Sequence, residues 1–222
     1  MELFMKLKRT AFRGRPGPRV LPVCFAIITL AGLAGGCLAR LLAAEQAGSA
    51  LPGDLTQARA IRIEDDWNGL STVAPLKAHY DLQRGASGFS GKASFSAGGN
   101  RRRPKETMEE ISIPGDKAEA FLKMLSDAPM KPGAYVPKIR HTDDYPSIKI
   151  HVQLKNDTVL FFTESQGEDH IPWGATVSGK SYVVDSDVPS KALQSLRPYL
   201  KRDVLNKLAE GVERSGAARN LR

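Results

Sequence analysis

Two short segments of the 222-residue chain concentrate side chains that could do chemistry. His141-Thr142-Asp143-Asp144-Tyr145 and Glu168-Asp169-His170-Ile171-Pro172-Trp173 together offer two imidazoles, four carboxylates and two large aromatic rings. Mixed nitrogen and oxygen ligands of this kind suit a divalent cation. The same groups could supply an acid and a base for hydrolysis. Aromatic faces beside carboxylates also suit a sugar, whose apolar faces stack while its hydroxyls are bonded. The expected ligand-contacting set is His141, Asp143, Asp144, Tyr145, Glu168, Asp169, His170 and Trp173. The plain alternative is that acidic, Gly- and Pro-containing loops make local turn hydrogen bonds and nothing more. No H-E-x-x-H, D-x-D-x-D-G or G-x-S-x-G stretch occurs in the sequence, so no catalytic residue and no cofactor are assigned.

What would bring the two segments together is a hairpin. Ile148, Ile150, Val152 and Leu154 alternate with polar residues, the period of a half-buried strand, and residues 158–165 read as its return. A two-residue turn at Asn156-Asp157 would place Lys149 opposite Glu164 and Val152 opposite Phe161. Continued outward, that register sets Asp143 beside His170 and Asp144 beside Asp169. Leu160 and Phe162 then point to the second face of the sheet, which predicts some cover there.

Further strands are expected near 76–82, 89–95 and 107–113, followed by a helix whose Asp116 and Glu119 have capping-box spacing. A Pro- and Gly-rich crossing at 130–147 leads into the hairpin. A last hairpin at 174–184 precedes a helical tail from Ser190, broken at Pro198. Leu193, Leu196, Leu200, Val204, Leu205, Leu208 and Val212 give that tail an apolar stripe that packs on the sheet. Asp65-Asp66-Trp67-Asn68 reads as a turn with Trp67 in the core. His79 and His151 fall on polar strand positions, face solvent and receive no role. No internal repeat is visible. The fold class is α+β, a mainly antiparallel, meander-type sheet with two helical segments packed on it, behind an N-terminal apolar signal or anchor helix.

Gly174-Ala175-Thr176-Val177-Ser178-Gly179-Lys180-Ser181 resembles the phosphate-binding loop of P-loop NTPases letter for letter. That motif works only between a buried strand and a helix N-terminus, which together aim backbone N–H groups at phosphate. Here Tyr182-Val183-Val184 follows, a strand signal, so Ser178-Gly179-Lys180 is read as a hairpin turn and no nucleotide is expected.

The net charge of +8 would suit nucleic acid, but residues 1–45 hold seven of the basic groups against Glu2 and Glu45. Elsewhere basic and acidic groups nearly balance, and the tract Arg101-Arg102-Arg103-Pro104-Lys105 has no interleaved aromatics, so no nucleic-acid partner is expected. Residues 20–39 carry no charge and follow a basic stretch, the pattern of a secretory signal or an uncleaved membrane anchor. Leu33-Ala34-Gly35-Gly36-Cys37 resembles the lipobox of bacterial lipoproteins, with Leu one place too far upstream, so lipidation at Cys37 stays open. Both cysteines, Cys24 and Cys37, lie in this apolar segment, which leaves the rest without thiol chemistry or a disulfide.

The expected organisation is a signal or anchor at 1–44, a linker at 45–58, one α+β domain at 59–215 and a tail at 216–222. The expected location is extracytoplasmic, periplasmic or secreted. Two functions follow from different classes. One is a non-catalytic envelope module that binds an unknown protein or glycan or serves structurally. The other is a hydrolase or divalent-metal enzyme working at the His141/His170 rim.

Overall fold

The computed structural model describes residues 51, 53–68, 75–98, 105–138, 145–204 and 206–211, all within one compact unit that spans 49–222. The apolar run 20–39 and the tract 101–104 lie outside the described residues. No helix among the described residues is long and apolar enough to cross a membrane.

Among the described residues, nine strands form: β1 (Ala60–Trp67), β2 (Leu76–Arg84), β3 (Gly88–Ala97), β4 (Lys105–Pro114), β5 (Met130–Pro132), β6 (Ser147–Gln153), β7 (Thr158–Thr163), β8 (Trp173–Val177) and β9 (Lys180–Val184). They make one sheet in the order β4-β3-β2-β1-β6-β7-β8-β9-β5, each neighbour antiparallel to the next. Two helices, α1 (Gly115–Ser126) and α2 (Val188–Leu196), share one core with its inner face, giving a broadly α+β fold. A 3-10 turn (Arg197–Tyr199) follows α2, and residues 203–204 and 206–211 are helical again.

The core follows from period-two alternation. Ile61 and Ile63 of β1 face Leu82 and Tyr80 of β2 on one side and Val152 and Ile150 of β6 on the other, and all six are buried. Phe121, Leu122 and Leu125 of α1 and Leu193 and Leu196 of α2 close this face at helical spacing. Val204 and Leu208 pack against the same cluster, as the apolar stripe requires.

Strand order exposes a repeat that the sequence hides. A four-strand meander followed by a helix occurs twice, as β1–β4 with α1 and as β6–β9 with α2, and the halves join at β1–β6. A two-fold axis through the Ile63–Ile150 pair would carry Ile61-Arg62-Ile63 onto Ile148-Lys149-Ile150, where both isoleucines recur and Lys stands for Arg.

Several expectations need correction. Asp65-Asp66-Trp67 is no turn but the end of β1, a central strand. The stretch expected to be linker is folded by residue 54: Leu55 starts a 3-10 turn capped by Asp54, and Leu55 and Ala58 are fully buried. The capping box is absent because α1 begins at Gly115. Asp116 then lies inside the first turn, pairing with Lys117 Nζ at 3.2 Å. The crossing contributes the short edge strand β5.

In the β6–β7 hairpin, Leu154 N–H donates to Asp157 C=O at 2.8 Å, so the reversal centres on Lys155-Asn156. Lys149 therefore faces Phe162, not Glu164, and Val152 faces Val159, not Phe161. Partners move by two residues, which preserves the side-chain face, so the apolar positions stay inside. The β8–β9 hairpin turns at Ser178 (φ 49°) and Gly179 (φ 76°), as a primed two-residue turn does. The eight-residue phosphate-loop pattern is thus strand, turn and strand, with no helix to receive an anion.

Candidate functional site

The β7–β8 loop, 164–172, carries three of the expected site residues, and Trp173 opens β8 directly after it. Ser147 Oγ accepts from Ser165 N–H at 2.9 Å and Pro146 C=O from Gly167 N–H at 3.0 Å, so this loop lies along the chain entering β6. Tyr145 consequently meets His170 edge-on, with ring centroids 5.1 Å apart at 63°. Gly167, at φ 73°, lets the loop turn here, and any Cβ on it would lie 3.4 Å from the Tyr145 ring. Of the two expected segments, these are the described parts that touch. His141, Asp143 and Asp144 lie outside the described residues.

The remaining members diverge. Trp173 is fully buried and donates its indole N–H to Glu168 C=O at 3.3 Å, so its face is unavailable to a ligand. Glu168 is buried too, with Arg197 against its Oε1 and Ser190 Oγ donating to its backbone carbonyl, while Oε2 has no partner. Asp169 stays exposed and accepts from Gln194 at 3.2 Å. His170 Nδ1 is buried and unpartnered. Two members thus turn inward, while Tyr145, at 41% exposure, and Asp169 remain presented.

Beneath this loop lies a charge cluster that the sequence did not announce. Asp65 points inward from β1 and pairs with Arg202 at 2.7 Å. Burial pushes its carboxyl above the ordinary range despite the attraction of Arg202 and Arg197. Tyr80 on β2 is fully buried with an unpartnered hydroxyl, and burial, then the nearby Asp65 charge, drives its phenol proton well above the usual value. Arg197 is shifted down by burial and by the like charge of Arg202. Two guanidiniums on the segment after α2 therefore fasten it to two carboxylates, Asp65 on the sheet and Glu168 on the loop.

The outer face holds a second set of charges. Glu64 lies 3.0 Å from Arg62, 3.6 Å from Lys149 and 3.5 Å from His151 Nε2, within ion-pair reach of the imidazole but not hydrogen-bonded to it. Asp66 bonds His79 Nε2 at 2.7 Å. Both histidines face outward, as their strand positions predicted, but are half-buried, His79 bonded to Asp66 and His151 lying beside Glu64. Burial holds the His151 proton below the ordinary imidazole range, with Glu64 opposing. The cover expected over Phe162 is Tyr135, whose ring packs edge-on at 5.0 Å and whose hydroxyl bonds Gln166 and Glu164 N–H.

Among the described residues, no group of three or more His, Cys, Asp and Glu is placed to hold a metal ion. No protein-family model matches the chain, and neither a curated protein nor a solved structure matches it.

Proposed function

We propose that this chain is an exported, non-catalytic module of the cell envelope that binds or organises an envelope protein or glycan. The basic start and the uncharged run 20–39 support export, with that run as anchor if it is retained or with Cys37 lipidated. One structural observation favours a binding role over chemistry. Most of the described carboxylates a hydrolase could use are tied to internal partners: Glu168 to Arg197, Asp65 to Arg202, Asp66 to His79 and Glu64 to Arg62. What stays on offer at the loop end is a fixed surface, Tyr145 held by His170 with Asp169 beside it.

Alkaline phosphatase fused after residue 222 tests export, because that reporter matures only in an oxidising compartment. An active fusion, with a discrete cross-linked partner captured from a photoreactive residue at position 145, is the expected result. An inactive fusion with all protein in the cytosol sinks the reading.

The rival, a metal-dependent or hydrolytic site at the His141/His170 rim, draws support from the buried, unpartnered His170 Nδ1. Its signature would be thermal stabilisation by Zn²⁺ or Ca²⁺ that EDTA reverses and His170→Ala abolishes.

A further inference from the structure

The two edges of the sheet are built differently. β5, at one end, is three residues long and finishes on Pro132, which has no N–H to offer a further strand. β4, at the other end, runs for ten residues with no proline before Pro114. Its phase is fixed by a bond just past its end, where Gly115 N–H donates to Ser87 C=O at 3.0 Å in step with the β3–β4 register. Main-chain groups of alternate residues point to opposite sides of an antiparallel strand. Residues 105, 107, 109, 111 and 113 therefore bond β3, while the N–H and C=O groups of Glu106, Met108, Glu110 and Ser112 point away from the sheet. Lys201 confirms the phase, because its ammonium reaches Glu110 C=O at 2.9 Å from that open side. Among the described residues, nothing bonds the main chain of Glu106, Met108 or Ser112, and the Met108 side chain is 60% exposed. An edge of this kind is a template for one more strand.

Charge decides which strand fits. Lys105, Thr107 and Glu109 share one face of β4 with the buried Ile111 and Ile113. A second, antiparallel β4 centred on Thr107 sets Lys105 of each copy opposite Glu109 of the other, Thr107 opposite Thr107, and Met108 opposite Glu106. Opposite-charge and Thr–Thr pairs both favour a sheet, and like charges directly opposite disfavour it. Centring instead on Glu106, Glu109 or Glu110 sets that carboxylate against itself, and centring on Met108 sets Glu106 against Glu110. A centre between two residues would oppose outward main-chain groups to groups already used by β3. Lys201 lies 3.4 Å from Glu109 Oε2, which leaves Oε1 to accept from Lys105 of the other copy. We infer that β4 is a homodimer interface, paired with β4 of a second copy across a two-fold axis at Thr107. One open edge per chain closes the assembly at two copies. This pairing does not depend on where the protein resides or on the loop end around Tyr145.

Sedimentation equilibrium of the full chain in detergent tests it through an exchange of charge. The unaltered chain should dimerise with Kd below about 100 μM. Lys105→Glu opposes two carboxylates at each pair and Glu109→Lys two ammoniums, so each variant alone should associate about tenfold more weakly. Mixed in equal amounts, the two variants regain both opposite-charge pairs and should dimerise as the unaltered chain does. Disulfide trapping locates the axis. In a chain also carrying Cys24→Ser and Cys37→Ser, Thr107→Cys should link readily under mild oxidation, since facing residues of a non-hydrogen-bonded pair lie about 4.5 Å apart. Met108→Cys would stand diagonally, roughly 7–8 Å from its own copy, and should link at least ~5-fold more slowly. A chain that stays monomeric at about 0.3 mM overturns the proposal. So does association that both charge variants leave unchanged, as contact through residues 20–39 would be, or a mixture no more associated than its parts. Faster linking at position 108 than at 107 overturns it too, because the axis then lies elsewhere.

Discussion

Asp65 occupies a strand position whose same-face neighbours, Ile61 and Ile63, are apolar, and it keeps a carboxylate there only because Arg202 reaches it. Two effects compete at this residue. Coulomb attraction favours the charged form, while burial penalises it, and burial prevails because the proton is held more tightly than at the ordinary value of 3.8. The folded state therefore binds a proton that the unfolded chain has released, over an interval that opens at 3.8 and closes at the raised value. Stability from this group is complete below that interval and is lost as pH rises through it. Removing the counter-charge deepens the loss. Arg202→Ala should cost under ~1 kcal/mol at pH 4, where the carboxyl can be neutral, and about 2–3 kcal/mol at pH 8. The upper figure stays below that of a fully enclosed pair because Arg202 is 34% exposed. Urea unfolding at both pH values measures the difference, and adding Asp65→Asn to the variant should remove its pH dependence. A cost that is the same at both pH values would show that another group carries the effect.

Phe162, Gly174 and Tyr135 form a comparable dependency between elements. Phe162 of β7 stands directly opposite Gly174 of β8, and a Cβ on Gly174 would fall under 3.0 Å from the Phe162 ring. That ring cannot swing away freely, because Tyr135 from the chain after β5 packs on it. Gly174→Ala should therefore lower stability by about 1–3 kcal/mol, as overpacking does. Phe162→Leu in the same chain should recover part of the loss, a coupling that thermal melts of the single and double variants would expose. Sequence reading could not see this contact, since it needed the register of β7 on β8 and the path of a loop. It did find β2, β3, β4, β6 and β7, where long alternating runs state their own period. It missed β1 because Asp65-Asp66-Trp67-Asn68 has the composition of a turn, while tertiary pairing on both sides overrides that local preference. It misplaced the β6–β7 reversal by one residue because Asn156-Asp157 has stronger turn chemistry than Lys155-Asn156. Site residues divide in the same way. Tyr145 and His170 meet because both flank one hairpin, whereas the inward fate of Glu168 depends on Arg197 and Ser190, some 20 to 30 residues further along.

At the scale of the whole molecule, the two meander-and-helix halves look separable by topology but not by energetics. Their junction, β1 with β6, is the middle of the sheet, and its inner residues Ile61, Ile63, Ile148, Ile150 and Val152 are all buried. Either half alone would expose that strand as a long apolar edge, an aggregation-prone state. The halves also share charges: Asp65 of the first pairs with Arg202 of the second, and Glu64 with Lys149 and His151. Finally, α1 and α2 lie in one apolar cluster, so separation uncovers Phe121, Leu122, Leu193 and Leu196 together. Four strands and a helix would ordinarily approach independent stability, yet here each lacks the partner that covers its central edge and half its helical face. Fragments 49–128 and 129–222 should therefore each show no cooperative urea transition when purified alone. Mixed from denaturant in equal amounts, they should regain the circular dichroism and the cooperative unfolding of the uncut chain. A cooperative transition in either fragment by itself would mean that the repeat is a pair of autonomous domains, and that the β1–β6 contact is an interface between them.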